Sequence, residues 1–131
     1  MRLELSILAD GYAVCRMAKE AVIPAWFNDA AWSSVTRTAD ELSVICRESV
    51  VPPSVPCERG WRVLAVKGPF PFDTIGVLAN LSGVLARVGV PLLAVSTYDT
   101  DYLLVKEERL PKAVEALIDA GHRVNRECGD G

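Results

Sequence analysis

The chain has 131 residues, enough for one domain or two very small ones. Half of the residues are hydrophobic, 24% are charged and the net charge is −3, which is typical of a globular protein with a real core. The lysines and arginines are scattered, which argues against a nucleic-acid surface. The longest uncharged run, residues 74–86, is too short to cross a membrane. Arg2, Glu4 and Asp10 make the first ten residues unlike a secretory signal, so we expect a cytoplasmic protein.

The cysteine and histidine pattern does not predict a metal site. Cys15, Cys46, Cys57 and Cys128 include no pair with CxxC spacing, and His122 is the single histidine. Cys15 and Cys46 lie in apolar runs, where a reduced thiol behaves as a small hydrophobic side chain. We therefore expect neither a metal ion nor a cofactor.

The first half of the chain reads as strands with almost no helix. The predicted strands are Leu3–Ala9, Tyr12–Met17, Ser33–Thr38 and Leu42–Arg47. Asp10-Gly11 is a favoured hairpin turn between the first two strands, and Pro24 opens an apolar segment that fits about one helical turn. Residues 50–59 contain three prolines and are predicted to be a linker. We therefore place one unit at residues 1–58 and a second at residues 59–131.

The second half alternates strands with helices. The predicted order is strand Trp61–Lys67, helix Thr74–Val88, strands Leu92–Tyr98 and Asp101–Glu107, a helix from Leu110, and a possible strand after Arg123. Asp73 is a suitable N-cap for the first helix, and Gly89 suits its C-terminal end. The βαββαβ pattern indicates the α+β class, with helices on one face of an antiparallel sheet.

A weak internal repeat relates the two halves. Residues 35–45 and 95–105 can be aligned at an offset of 60, each reading as an apolar strand, a polar turn with an acid, and a second apolar strand. Two unrelated hairpins could also look alike. If the repeat is real, the chain contains two related units, and the first has lost most of its first helix.

The second half resembles an ACT domain, the small-molecule sensing module. The residues that carry the resemblance are Trp61–Lys67, Asp73–Leu78, Gly89–Leu92 and the hairpin Ser96–Val105. The first half is similar to the partner unit of tandem ACT proteins related to aspartate kinase regulatory domains and cytosolic arginine sensors. Its marks are Tyr12–Val14, Ile23–Trp26 and Ser34–Val44.

This resemblance implies tandem ferredoxin-like βαββαβ units that pair side by side. It also implies that an amino acid binds between the loop entering the first helix and the β-hairpin of an adjacent unit. The ligand-binding residues carried over in this way are Phe72, Asp73, Thr74, Ile75, Gly76, Val77, Ser96, Thr97, Tyr98 and Asp99. The first unit lacks the full helix, so at most one complete site is expected per chain.

Simple chemistry is compatible with such a site. The N-terminus of a helix suits a carboxylate, because its N–H groups are unpaired and its dipole is positive there. Asp99, Asp101 or a hydroxyl of Ser96 or Thr97 could accept from an ammonium group. The alternative is that Asp73 is only an N-cap and that Asp99-Thr100 is only a turn.

No catalytic motif is recognisable, so an enzyme is not expected. We expect an amino-acid-binding regulatory module that works as a homodimer and reports to a protein partner. The alternative is a structural or protein-interaction protein that kept the ACT fold and lost its ligand. The truncated first unit favours that alternative.

Overall fold

The structure is a computed structural model, and it describes residues 1–27, 32–71 and 73–126. Within these ranges, the strands are β1 (Glu4–Ile7), β2 (Tyr12–Met17), β3 (Ser34–Arg37), β4 (Leu42–Arg47), β5 (Cys57–Val66), β6 (Leu93–Ser96), β7 (Asp101–Lys106) and β8 (Arg123–Arg126). The helices are α1 (Val77–Arg87) and α2 (Leu110–Asp119). Single 3₁₀ turns lie at Ala25–Phe27, Glu48–Val50 and Glu107–Arg109. No helix in the described ranges has both the length and the apolar character needed to span a membrane.

The chain forms two units, and its first strand belongs with the second half. Met1–Ala9 and Arg62–Gly131 form one unit, called here the C-terminal unit, and Asp10–Trp61 form the N-terminal unit. The sequence-based division at residue 58 instead places Met1–Ala9 in the first unit. The physical reason for the difference is strand pairing. β1 pairs with β5 and β8, whereas β2 pairs with β4 and β5, so the strands that flank Asp10-Gly11 do not form the predicted hairpin.

The C-terminal unit contains the predicted βαββαβ pattern, running from β5 to β8. Its strand order is β8-β1-β5-β7-β6, so β1 is an additional strand between β5 and β8. Alternate residues of three strands, such as Leu5, Leu64 and Leu103, share one core with Leu81 of α1 and Leu117 of α2. Alternate strand residues point to one face, so both helices cover the same face of the sheet, as predicted.

The N-terminal unit is a sheet without a full helix in its described part. Its strand order is β3-β4-β2-β5. The described residues between β2 and β3 contain only the turn Ala25–Phe27, and Trp26 and Phe27 pack against a core that includes Cys15 and Val44. The predicted loss of the first helix is confirmed for this described part. Trp26 and Phe27 therefore cover part of this core.

Two boundaries differ from the prediction by three or more residues. The proline-rich segment ends earlier, because Cys57 and Glu58 pair with Cys15 and Val14 of β2 and so already belong to β5. Helix α1 begins at Val77 rather than Thr74, because Gly76 has a left-handed backbone with φ of 90° and serves as the N-cap. The interpretation of Asp73 as the N-cap is wrong, since α1 has no side-chain cap.

Candidate functional site

The C-terminal unit contains a cavity of about 300 Å³ between the loop that precedes α1 and the β6–β7 hairpin. Its lining residues are Phe70, Pro71, Thr74, Gly76, Val77, Leu78, Ala79, Ser96, Thr97, Tyr98, Asp99, Thr100 and Asp101. The volume is at the lower end of the range for small-molecule sites. Loop and hairpin belong to the same unit, whereas the family resemblance implies the hairpin of an adjacent unit.

Most of the residues singled out in the sequence come together around this cavity. The seven that line it are Thr74, Gly76, Val77, Ser96, Thr97, Tyr98 and Asp99. Asp73 and Ile75 do not line it, and the Ile75 side chain is 88% exposed. Phe72 lies outside the described residues. Ligand binding by the ten predicted residues stays a prediction.

Several lining residues were not among the predicted ligand-binding set. They are Phe70, Pro71, Leu78, Ala79, Thr100 and Asp101. Leu78 and Ala79 follow from the later start of α1, which moves its first turn towards the C-terminus. Asp101 could be found from the sequence, since it is the second acid beside the turn and can accept from an ammonium group.

The first turn of α1 lies at the cavity with backbone donors that have no intrahelical partner. The Asn80 N–H donates to the Gly76 carbonyl at 2.9 Å, which closes the first helical turn. The N–H groups of Val77, Leu78 and Ala79 precede it and have no carbonyl partner within the helix. Because α1 has neither a side-chain cap nor an acid in its first turn, this end of the cavity favours an anionic group.

The opposite wall carries acids and hydroxyl groups on a well-formed turn. The Thr97 N–H donates to the Thr100 carbonyl at 2.8 Å, and the Thr97 hydroxyl donates to the same oxygen at 3.1 Å. The Ser96 hydroxyl donates to the Asp101 carboxylate. Asp99 and Asp101 therefore bring negative charge to the cavity wall that faces the helix N-terminus.

The loop and the hairpin are attached to each other directly. The Phe70 N–H donates to the Asp99 carbonyl at 2.8 Å. The Thr100 hydroxyl donates to the Val66 carbonyl at 2.7 Å. Gly68 permits this contact, because a Cβ at that position would lie 2.8 Å from the Asp99 carbonyl oxygen. These contacts fix the two walls of the cavity before any ligand arrives.

The hairpin of the N-terminal unit has the same turn chemistry. The Thr38 N–H donates to the Glu41 carbonyl at 2.9 Å, and the Thr38 hydroxyl accepts from the Asp40 and Glu41 N–H groups at 3.1 Å. Thr38 therefore corresponds to Thr97, which makes the structural offset 59 rather than the 60 of the sequence alignment. At an offset of 59, the three consecutive buried residues 44–46 of β4 also align with the three consecutive buried residues 103–105 of β7.

The N-terminal unit differs at the residue before this turn. Arg37 occupies the place of Ser96, and its guanidinium donates to the carbonyls of Lys19 and Ala21, the latter at 2.9 Å. The arginine thus ties its own hairpin to the segment that follows β2. In the C-terminal unit, the corresponding space between loop and hairpin is the cavity.

A buried histidine supports the first turn of α1. The His122 Nδ1 accepts from the Leu3 N–H at 3.0 Å, and its Nε2 lies 2.7 Å from the Asn80 Oδ1. An Nδ1 that accepts leaves the proton on Nε2, so the imidazole is neutral and donates to Asn80. Desolvation, followed by the positive charge of the N-terminal amine, holds the pKa of His122 below its usual 6.5. The His122 side chain is buried in the C-terminal unit.

Fold and cavity together define the class as a tandem ferredoxin-like α+β protein with a small-molecule-sized cleft in one unit. Comparison with known proteins agrees with this class. Residues 57–119 match the sequence profile of the ACT domain, and residues 10–54 match a separate profile for an N-terminal domain. The match to the ACT domain therefore covers most of the second half of the chain.

Similar proteins include one of nearly the same length. Protein Atu0741 from Agrobacterium tumefaciens has 36% sequence identity to this chain, and its crystal structure superimposes with a TM-score of 0.92. The match covers 98% of this chain and 96% of that chain. The regulatory subunit of aspartate kinase from Thermus thermophilus is matched over 88% of this chain and 95% of that chain, with a TM-score of 0.60. At 11% identity, it shows a shared fold alone.

A curated relative is the cytosolic arginine sensor for mTORC1 subunit 1 from Rattus norvegicus. It is 34% identical over 58 residues, which are 44% of this chain and 18% of the sensor. The human protein of the same name is 33% identical over 58 residues, again 44% of this chain and 18% of the sensor. The chain therefore matches less than a fifth of the length of these relatives.

Proposed function

We propose that this chain is a non-catalytic regulatory module of the ACT type that binds a free amino acid in the cavity of its C-terminal unit. The observation that carries the proposal is the opposition of two walls across one small cavity. One wall is the uncapped N-terminus of α1, and the other is the acidic hairpin around Asp99 and Asp101.

The two walls complement the two ends of an amino acid. The N–H groups of Val77, Leu78 and Ala79 suit the carboxylate, because they lack intrahelical partners and lie at the positive end of the helix dipole. The carboxylates of Asp99 and Asp101 suit the ammonium group, because charge-assisted hydrogen bonds are stronger than neutral ones. The small volume favours a ligand of amino-acid size over a nucleotide or a peptide.

We propose one site per chain. Arg37 bridges the N-terminal unit at the position where the C-terminal unit has the short Ser96. The N-terminal unit then serves as a structural partner of the binding unit. We further propose a cytoplasmic homodimer that acts on a protein partner, in line with the cytosolic location stated in the name of the arginine sensor.

The test is a thermal-shift screen of the purified chain against the standard amino acids at millimolar concentration. A ligand that binds only the folded state raises the melting temperature by mass action, so we expect one or a few amino acids to do so. A flat response across the set contradicts the proposal. Such a response, together with constitutive and amino-acid-insensitive capture of a partner, would instead support an ACT-fold interaction protein without a ligand.

A further inference from the structure

Three cysteines lie on adjoining strands of the N-terminal unit. Cys15 and Cys46 are fully buried, Cys57 is half-buried, and all three are thiols rather than disulfide-bonded. Among the side chains that the structure describes, no group of three or more His, Cys, Asp or Glu residues is placed to hold a metal ion. Two of these three thiols are placed for disulfide chemistry.

Cys15 of β2 and Cys57 of β5 are direct cross-strand partners. The Arg16 N–H donates to the Pro56 carbonyl at 3.1 Å, so residues 16 and 56 form a hydrogen-bonded pair. In an antiparallel ladder the next pair, Cys15 and Cys57, is then non-hydrogen-bonded, with Cα atoms about 4.5 Å apart. That separation is within the range that a disulfide spans.

Cys46 is not placed in the same way. On β4, Val44 lies opposite Cys15, and Cys46 lies opposite Ala13. Cys15 and Cys46 are therefore diagonal neighbours, with a Cα separation of about 7–8 Å. A disulfide cannot close at that distance without backbone movement.

We propose that Cys15 and Cys57 form a redox modification site, at which a low-molecular-weight disulfide produces a reversible cross-strand bond. The Cys57 thiolate attacks one sulfur of the small disulfide, whose S–S bond breaks, and one small thiolate leaves. Cys15 then loses its proton and attacks the Cys57 Sγ of the mixed disulfide, and the second small thiolate leaves. Two protein thiols are oxidised, and one small disulfide is reduced to two thiols. In reducing compartments such bonds are usually transient and sense redox state.

The surroundings of Cys15 make the second step the slower one. Desolvation by burial, with smaller contributions from Cys46 and Cys57, raises the pKa of Cys15 to about 12, and Arg59 acts in the opposite direction. Because the thiolate is the attacking species, closure should be slow near neutral pH and faster as pH rises. The bond would tie the start of β5 to β2 and stabilise the fold by restricting the unfolded chain.

The test is oxidation of the full chain by oxidised glutathione. We expect the oxidised Cys128→Ser chain to have an intact mass lower by two hydrogens. Its digest should contain a peptide linked through Cys15 and Cys57. Its melting temperature should rise, and dithiothreitol should reverse both changes. Cys46→Ala should retain the linkage as the matched control, and Cys57→Ala should abolish it.

Other outcomes overturn the proposal. They are a linkage through Cys46, a stable glutathione adduct on Cys57 without closure, links between chains only, or no reaction under conditions that fully oxidise the urea-unfolded chain. If Cys57→Ala fails to fold, as judged by circular dichroism, the peptide map of the Cys128→Ser chain decides the question without it.

Discussion

Arg37 and Ser96 hold the same position in the two hairpins, the last residue of a strand before a four-residue turn that begins with threonine. Arg37 reaches the carbonyls of Lys19 and Ala21, whereas Ser96 lines a cavity. The same position thus carries a bridging arginine in the N-terminal unit and a cavity-lining serine in the C-terminal unit.

Replacing Ser96 by the arginine that the N-terminal unit has at this position should abolish ligand binding in the C-terminal unit. We expect Ser96→Arg to abolish the thermal shift caused by the stabilising amino acid, because a long cation would occupy the cavity and face the positive end of α1. Ser96 is exposed, so the variant should fold. Arg37→Ser is the mirror control and should keep the shift. Loss of the shift in Arg37→Ser, or its survival in Ser96→Arg, would contradict the assignment.

The acidic wall should be needed for affinity. We expect Asp101→Asn to weaken binding by about tenfold or more, because a hydrogen bond to a charged group contributes about 1.5–3 kcal/mol. Isothermal titration calorimetry with the same amino acid measures the change. Asp119→Asn is the matched control, since Asp119 is exposed at the end of α2 and does not line the cavity. Equal affinities of the two variants would remove Asp101 from the site.

The close approach at Gly68 should be sensitive to a single methyl group. The added Cβ in Gly68→Ala would lie 2.8 Å from the Asp99 carbonyl oxygen and 2.9 Å from the Thr100 Cβ. We expect a loss of about 1–3 kcal/mol in the free energy of unfolding, as for other overpacked sites, measured by urea denaturation.

Gly83→Ala is the matched control for that change. Gly83 lies within α1, and the nearest atom to an added Cβ is the flexible Arg87 Nη1 at 3.6 Å. Alanine is favoured over glycine inside helices by about 0.5–1 kcal/mol, so this variant should be more stable than the natural chain. A Gly68→Ala protein as stable as the natural one would show that loop and hairpin are not held together as described.

His122 should make stability depend on pH. Its pKa in the folded state is below 6.5, chiefly because burial disfavours the charged imidazolium. The unfolded chain then binds more protons, so the stabilising contribution is complete above pH 6.5 and is lost as pH falls from there through the folded-state pKa. Urea unfolding across this window should show the loss, and His122→Gln should show a smaller one.

The same prediction can be checked on the folded protein. The sequence contains one histidine, so its imidazole resonance in a proton NMR titration belongs to His122. A midpoint at or above 6.5 would contradict the neutral, doubly hydrogen-bonded ring.

Much of the fold is predictable because it depends on local patterns. Apolar runs between turn residues identify strands such as Tyr12–Met17 and Leu42–Arg47 to the residue. The place of β1 is not predictable in this way, because its pairing with β8 joins residues more than a hundred positions apart. Asp10-Gly11 favours a hairpin locally, and the long-range pairing of β1 overrides that preference.

Only the family resemblance predicts that a ligand site lies between the first helix and the hairpin. Polar residues in 96–101 indicate a turn, and nothing local shows that the turn faces α1. Asp73 is a good N-cap by residue type and predicts an earlier start for α1, whereas the N-cap in the structure is the left-handed Gly76. The Arg37 bridge could not be seen in the sequence, since its partners are backbone carbonyls 16 and 18 residues away.

The measurement that tests the central claim most directly is an amide NMR titration of the chain with the amino acid that stabilises it. We predict saturable shifts that are largest at the N–H groups of Val77, Leu78 and Ala79 and on the hairpin 96–101, with one ligand bound per chain. Saturable shifts confined to other residues, or no shifts at all at millimolar ligand, would contradict an amino-acid site between α1 and this hairpin.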